Sequence, residues 1–442
     1  MSSNPYQPPR PTKYDQTPTQ TRWIIFAMAC FASFLTYIHR YSWGAASPYL
    51  QKEYGLKDTE MGWLDSAFNL TYALGQFPGG LAGDVLGPRL MIPASAILWS
   101  IAVAGPALVT TFGMLLVSRL LFGAAQAPCY PNLGKITKAW FPLSVRTSIQ
   151  GTVASFSGRA GAGVAPFLVG TVLIGMMHLS WQQSLYSLAS VGAVFAIAFW
   201  FLFRNRPTVH PWSNEAERHL IESDEAPDSK TEPEYRFSWT PSNCLNLFFF
   251  LCASFCSTAA DNLFVFWMPR FLVQEKGFSP FEMGIFASLP LWGGAIGGLC
   301  GGLLNDFLIR TTGNRRLARS LVASTGKVLA AVLIVVSLMA QDGRVVMAVL
   351  FFCKFFSDWS QPTWWGTVTD IGGPAAGRVF GLVNTFGSLG ATAIGPVMGY
   401  IKQYHGWNAL FFFVGVVYIL TAVFWALVNC TKKLVIEGRD NL

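Results

Sequence analysis

One arginine, Arg40, lies in the middle of an otherwise apolar stretch, residues 23–50. An arginine side chain stays protonated in proteins, so a helix that carries it into a lipid bilayer needs a counter-charge or an anionic ligand. Ser33, Tyr37, Arg40 and Gly44 recur at intervals of three or four residues, which places them on one helical face. On a membrane helix, a polar face of this kind points into the helix bundle or into a water-filled cavity.

Two interpretations of Arg40 are open. In the first, its guanidinium group binds a substrate carboxylate through two parallel hydrogen bonds. In the second, it forms an internal ion pair with Asp261 or Asp358, which also lie in apolar stretches. We favour the first, because charge at membrane depth is costly and usually serves a function.

The composition places the whole chain in a membrane. Of its 442 residues, 52% are hydrophobic and 12% are charged, whereas ordinary soluble domains carry about 25% charged residues. Apolar runs of about 20 residues recur, each long enough to cross ~30 Å of hydrocarbon as a helix. The runs are 23–49, 60–83, 89–110, 112–136, 146–173, 181–203, 243–271, 281–306, 317–340, 344–368, 376–402 and 407–429. We expect an all-α membrane protein with twelve transmembrane helices in the lipid bilayer.

The net charge of +8 follows membrane topology rather than a nucleic-acid partner. If the N-terminus is cytoplasmic, most Lys and Arg residues fall in the tails and loops on that side. The opposite loops hold Lys52, Lys57, Arg270, Lys276, Arg344 and Lys402. This bias is the positive-inside pattern. It predicts a multi-pass protein of the cell (inner or plasma) membrane with both termini in the cytoplasm.

The chain divides at a polar segment, residues 204–242, which we expect to be a cytoplasmic loop. Six-helix halves lie on either side, at 23–203 and 243–430. Residues 1–22 are predicted to be a disordered cytoplasmic tail, and 431–442 a second cytoplasmic tail. Gly151, Val153, Phe156 and Pro166 match Gly381, Val383, Phe386 and Pro396 at one constant spacing. Two pseudo-symmetric halves with a site between them are a transporter architecture.

A loop motif indicates the family. The segment Gly80-x3-Asp84-x2-Gly87-x-Arg89 resembles the loop signature of the major facilitator superfamily, and a weaker copy ends at Asp306. Val85 and Pro88 stand where that signature usually has basic residues. The resemblance implies the major facilitator fold.

Within that superfamily the chain is similar to the anion:cation symporter family. Its members include bacterial hexonate, hexuronate and glucarate permeases and the animal organic-anion transporters. The first-half residues that carry the likeness are Tyr37-Ile38-His39-Arg40, Ser66-Ala67-Phe68-x3-Tyr72-x3-Gln76-x-Pro78-Gly79-Gly80, Arg119-x3-Gly123, Pro128, Pro131 and Trp140-Phe141-Pro142-x3-Arg146. In the second half they are Trp267-x-Pro269, Asp370, Gly381-x2-Asn384 and Pro396.

Several further residues are substrate-binding candidates. By composition alone Tyr72 suits packing as well as ligand contact, and resemblance to the sugar-acid permeases implies that it contacts substrate. Tyr37, on the same helical face as Arg40, is a further candidate for the cavity. The segment Gln361-Pro362-Thr363-Trp364-Trp365 gathers an amide, a hydroxyl and two indoles around a proline, a mixture that suits a polyhydroxylated anion. The alternative for this segment is a packed, proline-kinked helix with aromatic residues at the membrane interface. The family likeness implies that these residues and Asn384 face a central cavity.

Arg159 is a second cationic candidate in span five. It aligns where galactonate-type relatives carry a substrate-binding glutamine, so a second cavity arginine would favour a dianion. The alternative is a structural ion pair with Asp358, since intramembrane charges often pair with one another. Both interpretations remain open.

The coupling residues depart from the family pattern. His39 and Gln126 stand where proton-coupled relatives carry carboxylates. Gln126 cannot titrate; a histidine can, near neutral pH, although the arginine that follows it opposes protonation. Asp261 and Asp358 are further candidates, the latter one turn after Lys354. Proton symport, sodium coupling, exchange and facilitated diffusion remain open, and His39 has the alternative of a neutral, hydrogen-bonded role in the bundle.

Other charged residues have structural interpretations. Asp84, Arg89 and Asp306 are expected to latch helix ends during alternating access, through ion pairs or helix-end contacts. Lys327, near the start of span nine, is expected to extend toward the membrane interface. The eight cysteines show no metal-ligand spacing. We expect no metal, no cofactor and no enzyme activity.

These features predict a secondary active transporter of a small organic anion, and the family likeness narrows it to a sugar acid such as a hexonate or hexuronate. It would work by alternating access as a monomer with proton symport, a coupling that the resemblance implies. An organic-anion exchanger or an uncoupled facilitator is the alternative. A transport-inactive membrane sensor is a third hypothesis, which the short central loop disfavours.

Overall fold

Long helices account for most of the chain. The computed structural model describes residues 17–222 and 235–437. The first-half α-helices are α1 (Thr21–Tyr54), α2 (Asp58–Leu86), α3 (Pro88–Ala104), α4 (Phe112–Gln126), α5 (Cys129–Trp140), α6 (Leu143–Gly151), α7 (Gly158–Pro166) and α8 (Trp181–Leu202). A short helix, α9 (Glu215–Glu222), follows in the central segment. The second half has α10 (Pro241–Asn262), α11 (Met268–Gln274), α12 (Pro280–Thr312), α13 (Arg315–Val336), α14 (Gly343–Ser357), α15 (Ser360–Gly372) and α16 (Ala376–Leu427).

These helices reproduce the twelve predicted spans. Nine helices in the described part of the chain are long and apolar enough to cross a membrane. The remaining spans come from α2, from α14 followed directly by α15, and from a break within α16. Gly406 has a φ of 79° at that break, a conformation that a residue without a Cβ adopts readily. The prediction of an all-α membrane protein with twelve helices in two pseudo-symmetric halves is confirmed.

Several spans are built from two or three helical segments. Span four breaks between α4 and α5, next to Pro128. In span five, π-helical turns at Thr152–Ser157 and Phe167–Met176 flank α7. In span seven, a π-helical turn at Leu263–Trp267 joins α10 to α11. Turns of this type are frequent at functional sites.

The two halves touch at one end of the bundle, here called the far face, where α1 ends and α2 begins. Lys402 of α16 lies 2.7 Å from Asp58 of α2, and Gln274 of α11 donates to Gln51 of α1 at 2.8 Å. A Cβ on Gly62 would lie 2.2 Å from the Gly395 carbonyl oxygen. The backbones of α2 and α16 therefore meet directly, and this end is closed.

The opposite end, here called the N-terminal face, is where α1 begins and α16 ends. Gly151 and Gly381, the matched pair from the two halves, have no neighbouring atom within 4 Å of an added Cβ. No described residue of the opposite half therefore packs against either glycine at this end.

The segments outside the membrane spans also gather at the N-terminal face. Strand β1 (Tyr235–Phe237) of the central segment pairs antiparallel with β2 (Val435–Glu437) near the chain end, with Arg236 opposite Ile436. Arg22 of α1 pairs with the buried Glu217 of α9 at 3.3 Å. The start of α1, the described parts of the central segment and β2 therefore lie on one side, and residues 1–16, 223–234 and 438–442 fall outside the described residues.

Candidate functional site

A cavity of about 380 Å³ lies between the two halves, within the usual size range of small-molecule sites, roughly 300–1,000 Å³. It is lined by α1, α2, the segments of span five, α10, α12, α14, α15 and α16. The predicted site residues that line it are Tyr37, Arg40, Tyr72, Arg159, Asp261, Asp358, Gln361, Trp364 and Asn384. Helices from both halves thus bring together residues that are far apart in sequence.

Arg40 enters the cavity from the middle of α1. Its Nε and Nη2 atoms donate to the Gln126 side-chain oxygen at 3.3 and 3.2 Å. The guanidinium carbon lies 4.3 Å from the Tyr72 ring centroid and 5.0 Å from that of Tyr37. Aromatic faces attract a cation but do not neutralise it. No carboxylate in the described chain pairs with Arg40, so its charge is available to a ligand.

Gln126 holds Arg40 in place. Its side chain is fully buried, and its amide nitrogen donates to the Thr36 carbonyl oxygen at 2.8 Å. That bond directs the amide oxygen toward Arg40. A glutamine at this position orients the guanidinium without adding negative charge.

The two aspartates proposed as partners of Arg40 pair elsewhere. Lys354 Nζ lies 2.7 Å from Asp261 and 2.6 Å from Asp358. Arg159 Nη1 lies 3.0 Å from the other Asp358 oxygen. The internal-pair alternative for Arg40 is therefore wrong. Arg159 forms the pair with Asp358 and also lines the cavity, and its role in substrate binding stays a prediction.

The cavity carries an excess of positive charge. Its ionisable acids and bases are Arg40, Arg159 and Lys354 against Asp261 and Asp358. Walls of low dielectric constant strengthen such fields and raise the local concentration of oppositely charged ligands. The arrangement suits an anion.

Span ten supplies polar and aromatic contacts. Gln361, Trp364 and Trp365 of the predicted segment all line the cavity. Both indoles pack against Phe380 of α16, with ring centroids 5.4 and 4.9 Å apart. The prediction for Thr363 is wrong: this residue is fully buried outside the cavity lining. At 100° per residue, Gln361 and Trp364 share a helix face that Thr363 does not.

Asn384 links the second half to the first near the cavity. Its side-chain amide lies 3.4 Å from the side-chain oxygen of Gln76 on α2. Both side chains are only partly buried. They are therefore available to hydrogen-bond a ligand that lies between the halves.

His39 does not reach the cavity. Its side chain is 1% exposed and its Nε2 atom lies 3.0 Å from the Leu188 carbonyl oxygen on α8. One residue along a helix turns the side chain by 100°, so His39 faces the bundle where Arg40 faces the cavity. This geometry fits the hydrogen-bonded alternative for His39 better than a role in coupling.

Comparison with known families agrees with this architecture. Residues 29–393 match the family model described as Major Facilitator Superfamily, and an overlapping match covers residues 252–433. The chain belongs to the major facilitator superfamily. This membership confirms the prediction of a membrane transporter rather than an enzyme.

Curated relatives align over nearly their whole length. The probable galactarate/D-glucarate transporter GudP of Bacillus subtilis is 28% identical over 96% of this chain and 95% of its own. The probable sulfoacetate transporter SauU of Cupriavidus necator is 27% identical over 88% and 89%. The hexuronate transporter of Bacillus subtilis is 26% identical over 85% and 87%.

A solved structure shares the major facilitator fold. The inward-facing, unoccupied crystal structure of a bacterial homologue of the human lysosomal transporter Spinster superposes with a TM-score of 0.75. It is 16% identical, and the alignment covers 94% of this chain and 98% of that one. At this identity the likeness shows the fold.

A buried ion pair joins the halves of this superfamily member on the far-face side of the cavity. Arg270 of α11 donates to both carboxylate oxygens of Asp65 on α2, at 3.1 and 3.0 Å. Trp43 donates to the same carboxylate at 2.7 Å, and Arg270 also donates to Ser47 at 2.9 Å. The charge pattern predicts a loop position for Arg270, so this ion pair, here called the Asp65–Arg270 clamp, was not predicted. Asp65 lies inside the predicted span 60–83, and a carboxylate at that depth could have indicated a buried partner.

Of the three predicted latch residues, Asp84 has an ion-pair partner, Lys135 of α5 at 2.6 Å. The backbone N–H of Arg89 donates to Asn205 at 2.9 Å, and its guanidinium lies 5.1 Å from the Trp200 ring centroid. Asp306 is exposed and has no ion-pair partner in the described chain. Contacts at helix ends are thus present at Asp84 and Arg89, and the ion-pair form of the prediction fits only Asp84.

Proposed function

We propose that this protein carries a small organic acid, in particular a sugar acid such as a hexonate or hexuronate, across the membrane by alternating access. The observation that carries the proposal is the placement of Arg40. It faces a cavity between two pseudo-symmetric halves, is held by a neutral glutamine and has no carboxylate partner in the described chain. A guanidinium in this setting binds a carboxylate well, because the two groups match in charge and in hydrogen-bond geometry.

The rest of the cavity supports a hydroxylated acid. Gln361 and Asn384 supply amides for hydroxyl groups, and Trp364 supplies an indole face for the C–H side of a sugar chain. The names of the relatives agree, since galactarate, glucarate and hexuronates are all acids derived from sugars.

We propose the domain layout and membrane topology that the sequence predicts. The halves 23–203 and 243–430 would rock against each other around the cavity, with 204–242 as the cytoplasmic connection. The protein would act as a monomer in the inner or plasma membrane with both termini in the cytoplasm. Strand pairing and the Arg22–Glu217 contact at one face support a common side for the termini.

Ligand binding tests the anion site. The purified protein is screened by thermal shift with D-glucarate, D-glucuronate, D-galactonate and a neutral sugar. We expect one or more acids to raise Tm and the neutral sugar to have no effect. Arg40→Ala should abolish the shift, while Arg344→Ala, which removes a 65% exposed arginine outside the cavity lining, should retain it. Stabilisation by the neutral sugar, or by an acid in the Arg40→Ala variant, would contradict the proposal.

Transport in liposomes tests the coupling. Proton symport predicts uptake that increases at acidic outside pH and collapses with a protonophore. The second candidate is exchange of one organic anion for another, and Gln126 favours it because a glutamine cannot carry a proton. Exchange predicts uptake that depends on internal anion and is indifferent to the proton gradient.

A further inference from the structure

We propose that the cavity binds an organic dianion by its two ends, with Arg40 holding one anionic group and Arg159 together with Lys354 holding the other. This inference rests on the proposed function and narrows the substrate to organic acids that carry an anionic group at each end. It assigns Lys354 to substrate binding, a role that the sequence did not suggest.

The first end is the guanidinium of Arg40. Its two bonds to Gln126 leave the charge uncompensated. Tyr72 and Tyr37 flank it, and both also line the cavity. One anionic group placed here would neutralise the one cation of the described cavity lining that has no carboxylate partner.

The second end is the lysine cluster, defined as Arg159, Lys327, Lys354, Asp261 and Asp358. Lys354 pairs with both aspartates, and Arg159 pairs with Asp358. Lys327 donates to the hydroxyls of Ser257 and Ser357, at 2.8 and 2.9 Å. Three cations face two carboxylates, so one positive charge in the cluster has no counterpart.

The cluster offers unused hydrogen-bond donors to the cavity. Arg159 uses only Nη1 for protein contacts in the described chain, on Asp358 and the Gly294 carbonyl oxygen. Its side chain is 31% exposed, so Nε and Nη2 can donate to a ligand. Lys354 has three N–H donors and uses two of them on the aspartates. A carboxylate, sulfonate or phosphate group fits this set of donors.

Neutral hydrogen-bonding groups also line the cavity in which the two ends lie. They are Ser254, Ser257, Thr258, Asn262, Gln361 and Asn384. A chain of hydroxylated carbons with an acid at each end would use the cations at its ends and these groups along its length. Because Lys354 belongs to the second half and Arg40 to the first, such a ligand would contact both halves at once.

The test compares two acids that share a six-carbon chain and differ in the number of acid ends. D-glucarate has two carboxylates and D-gluconate has one. Their Kd values are measured by calorimetry on the purified full-length protein. We expect D-glucarate to bind at least tenfold more tightly than D-gluconate, since a second ion pair of this kind is worth a factor of ten or more.

Two variants should shift the ratio of the D-gluconate Kd to the D-glucarate Kd in opposite directions. Arg159→Gln removes one cation, and the preference for D-glucarate should fall about tenfold. Asp261→Asn removes one carboxylate and frees a donor on Lys354, so the preference should rise. Opposite shifts cannot come from general loss of folding. Arg344→Gln, at the exposed pair with Glu282, is the matched control and should leave the ratio unchanged.

The outcomes distinguish failure of the dianion site from failure of the proposed organic-acid transport. If both acids bind equally to the natural protein, or if both variants change the two affinities alike, the dianion site is overturned and transport of organic acids stands. If no organic acid binds the natural protein, the proposed function itself fails. A preference for D-glucarate that moves in opposite directions in the two variants supports the site.

Discussion

Arg40 and Gln126 are joined by two hydrogen bonds to one amide oxygen, where a carboxylate would have formed an ion pair. The amide fixes the guanidinium but leaves its positive charge intact. An arginine held this way is oriented before any ligand arrives, which lowers the entropy lost on binding. The neutrality of residue 126 is therefore a condition for the anion site that we propose at Arg40.

Gln126→Glu should convert the oriented cation into an internal ion pair. At neutral pH the new carboxylate competes with the ligand for Arg40, so we expect acid ligands to bind at least tenfold more weakly. At acidic pH the new carboxyl group becomes protonated, the competition ends and binding should recover. Kd measured against pH by calorimetry checks this.

The control for this experiment is Gln341→Glu, which adds the same charge in an exposed loop. It should leave both the affinity and its pH dependence unchanged. Unaltered binding by Gln126→Glu at neutral pH would mean that Arg40 does not contact the ligand.

His39→Gln should preserve the pH dependence of uptake. The His39 ring is buried and bonded to the Leu188 carbonyl oxygen, and a glutamine amide can donate the same bond. We expect uptake rates at several outside pH values to change by less than about twofold, because a buried group with a retained hydrogen bond costs little to replace. Loss of the pH response in this variant would make His39 the proton carrier and reject our interpretation of its position.

Gln361 and Thr363 form a matched pair on one helix. Gln361 lines the cavity, so Gln361→Ala should weaken acid binding by about three- to tenfold, the usual effect of one lost hydrogen bond. Thr363→Val should not change the affinity, because that side chain is buried outside the cavity and its hydroxyl has no partner. Both effects are measured as Kd values for one acid ligand. A larger loss of affinity for Thr363→Val than for Gln361→Ala would contradict the structure.

Asp65 and Arg270 should depend on each other for their contribution to the free energy of unfolding. Asp65→Asn leaves the Arg270 charge buried without its partner, a change that typically costs about 3–5 kcal/mol of unfolding free energy. The double variant Asp65→Leu with Arg270→Met removes both charges, so it should lose less unfolding free energy than Asp65→Asn. Unfolding in detergent measures both effects.

Asp84→Asn provides the comparison for the clamp. It breaks a pair in which Asp84 is 65% exposed, and exposed pairs contribute up to about 1 kcal/mol. If Asp65→Asn unfolds no more easily than Asp84→Asn, the clamp contributes no more than a surface pair.

The spans and the halves could be predicted because they depend on local composition. Apolar runs of the right length must be helices in a bilayer, since backbone groups there have no other partners. The break at Gly406 falls between two predicted spans even though the helix runs on to Leu427. The matched residues of the two halves, such as Gly151 and Gly381, likewise needed only the sequence.

The direction of individual side chains could not be predicted in the same way. Thr363 and Gln361 are two residues apart, and only packing decides which of them faces the cavity. Lys327 was expected at the membrane interface, yet it is fully buried and bonded to Ser257 and Ser357. Arg270 and Asp65 meet across 205 residues of chain. Such pairings depend on how α2 and α11 approach each other, which no local pattern contains.

The burial of the Asp65–Arg270 pair has a consequence for hydration under the proposed alternating access. Asp65 and Arg270 are almost completely shielded from solvent while the far face is closed. In the proposed alternating access, opening that face would hydrate both charges, so the opening would take up water. Solutes excluded from protein surfaces, such as sucrose, disfavour hydrated states. The osmotic strength of the medium should therefore bias which side of the membrane the cavity faces.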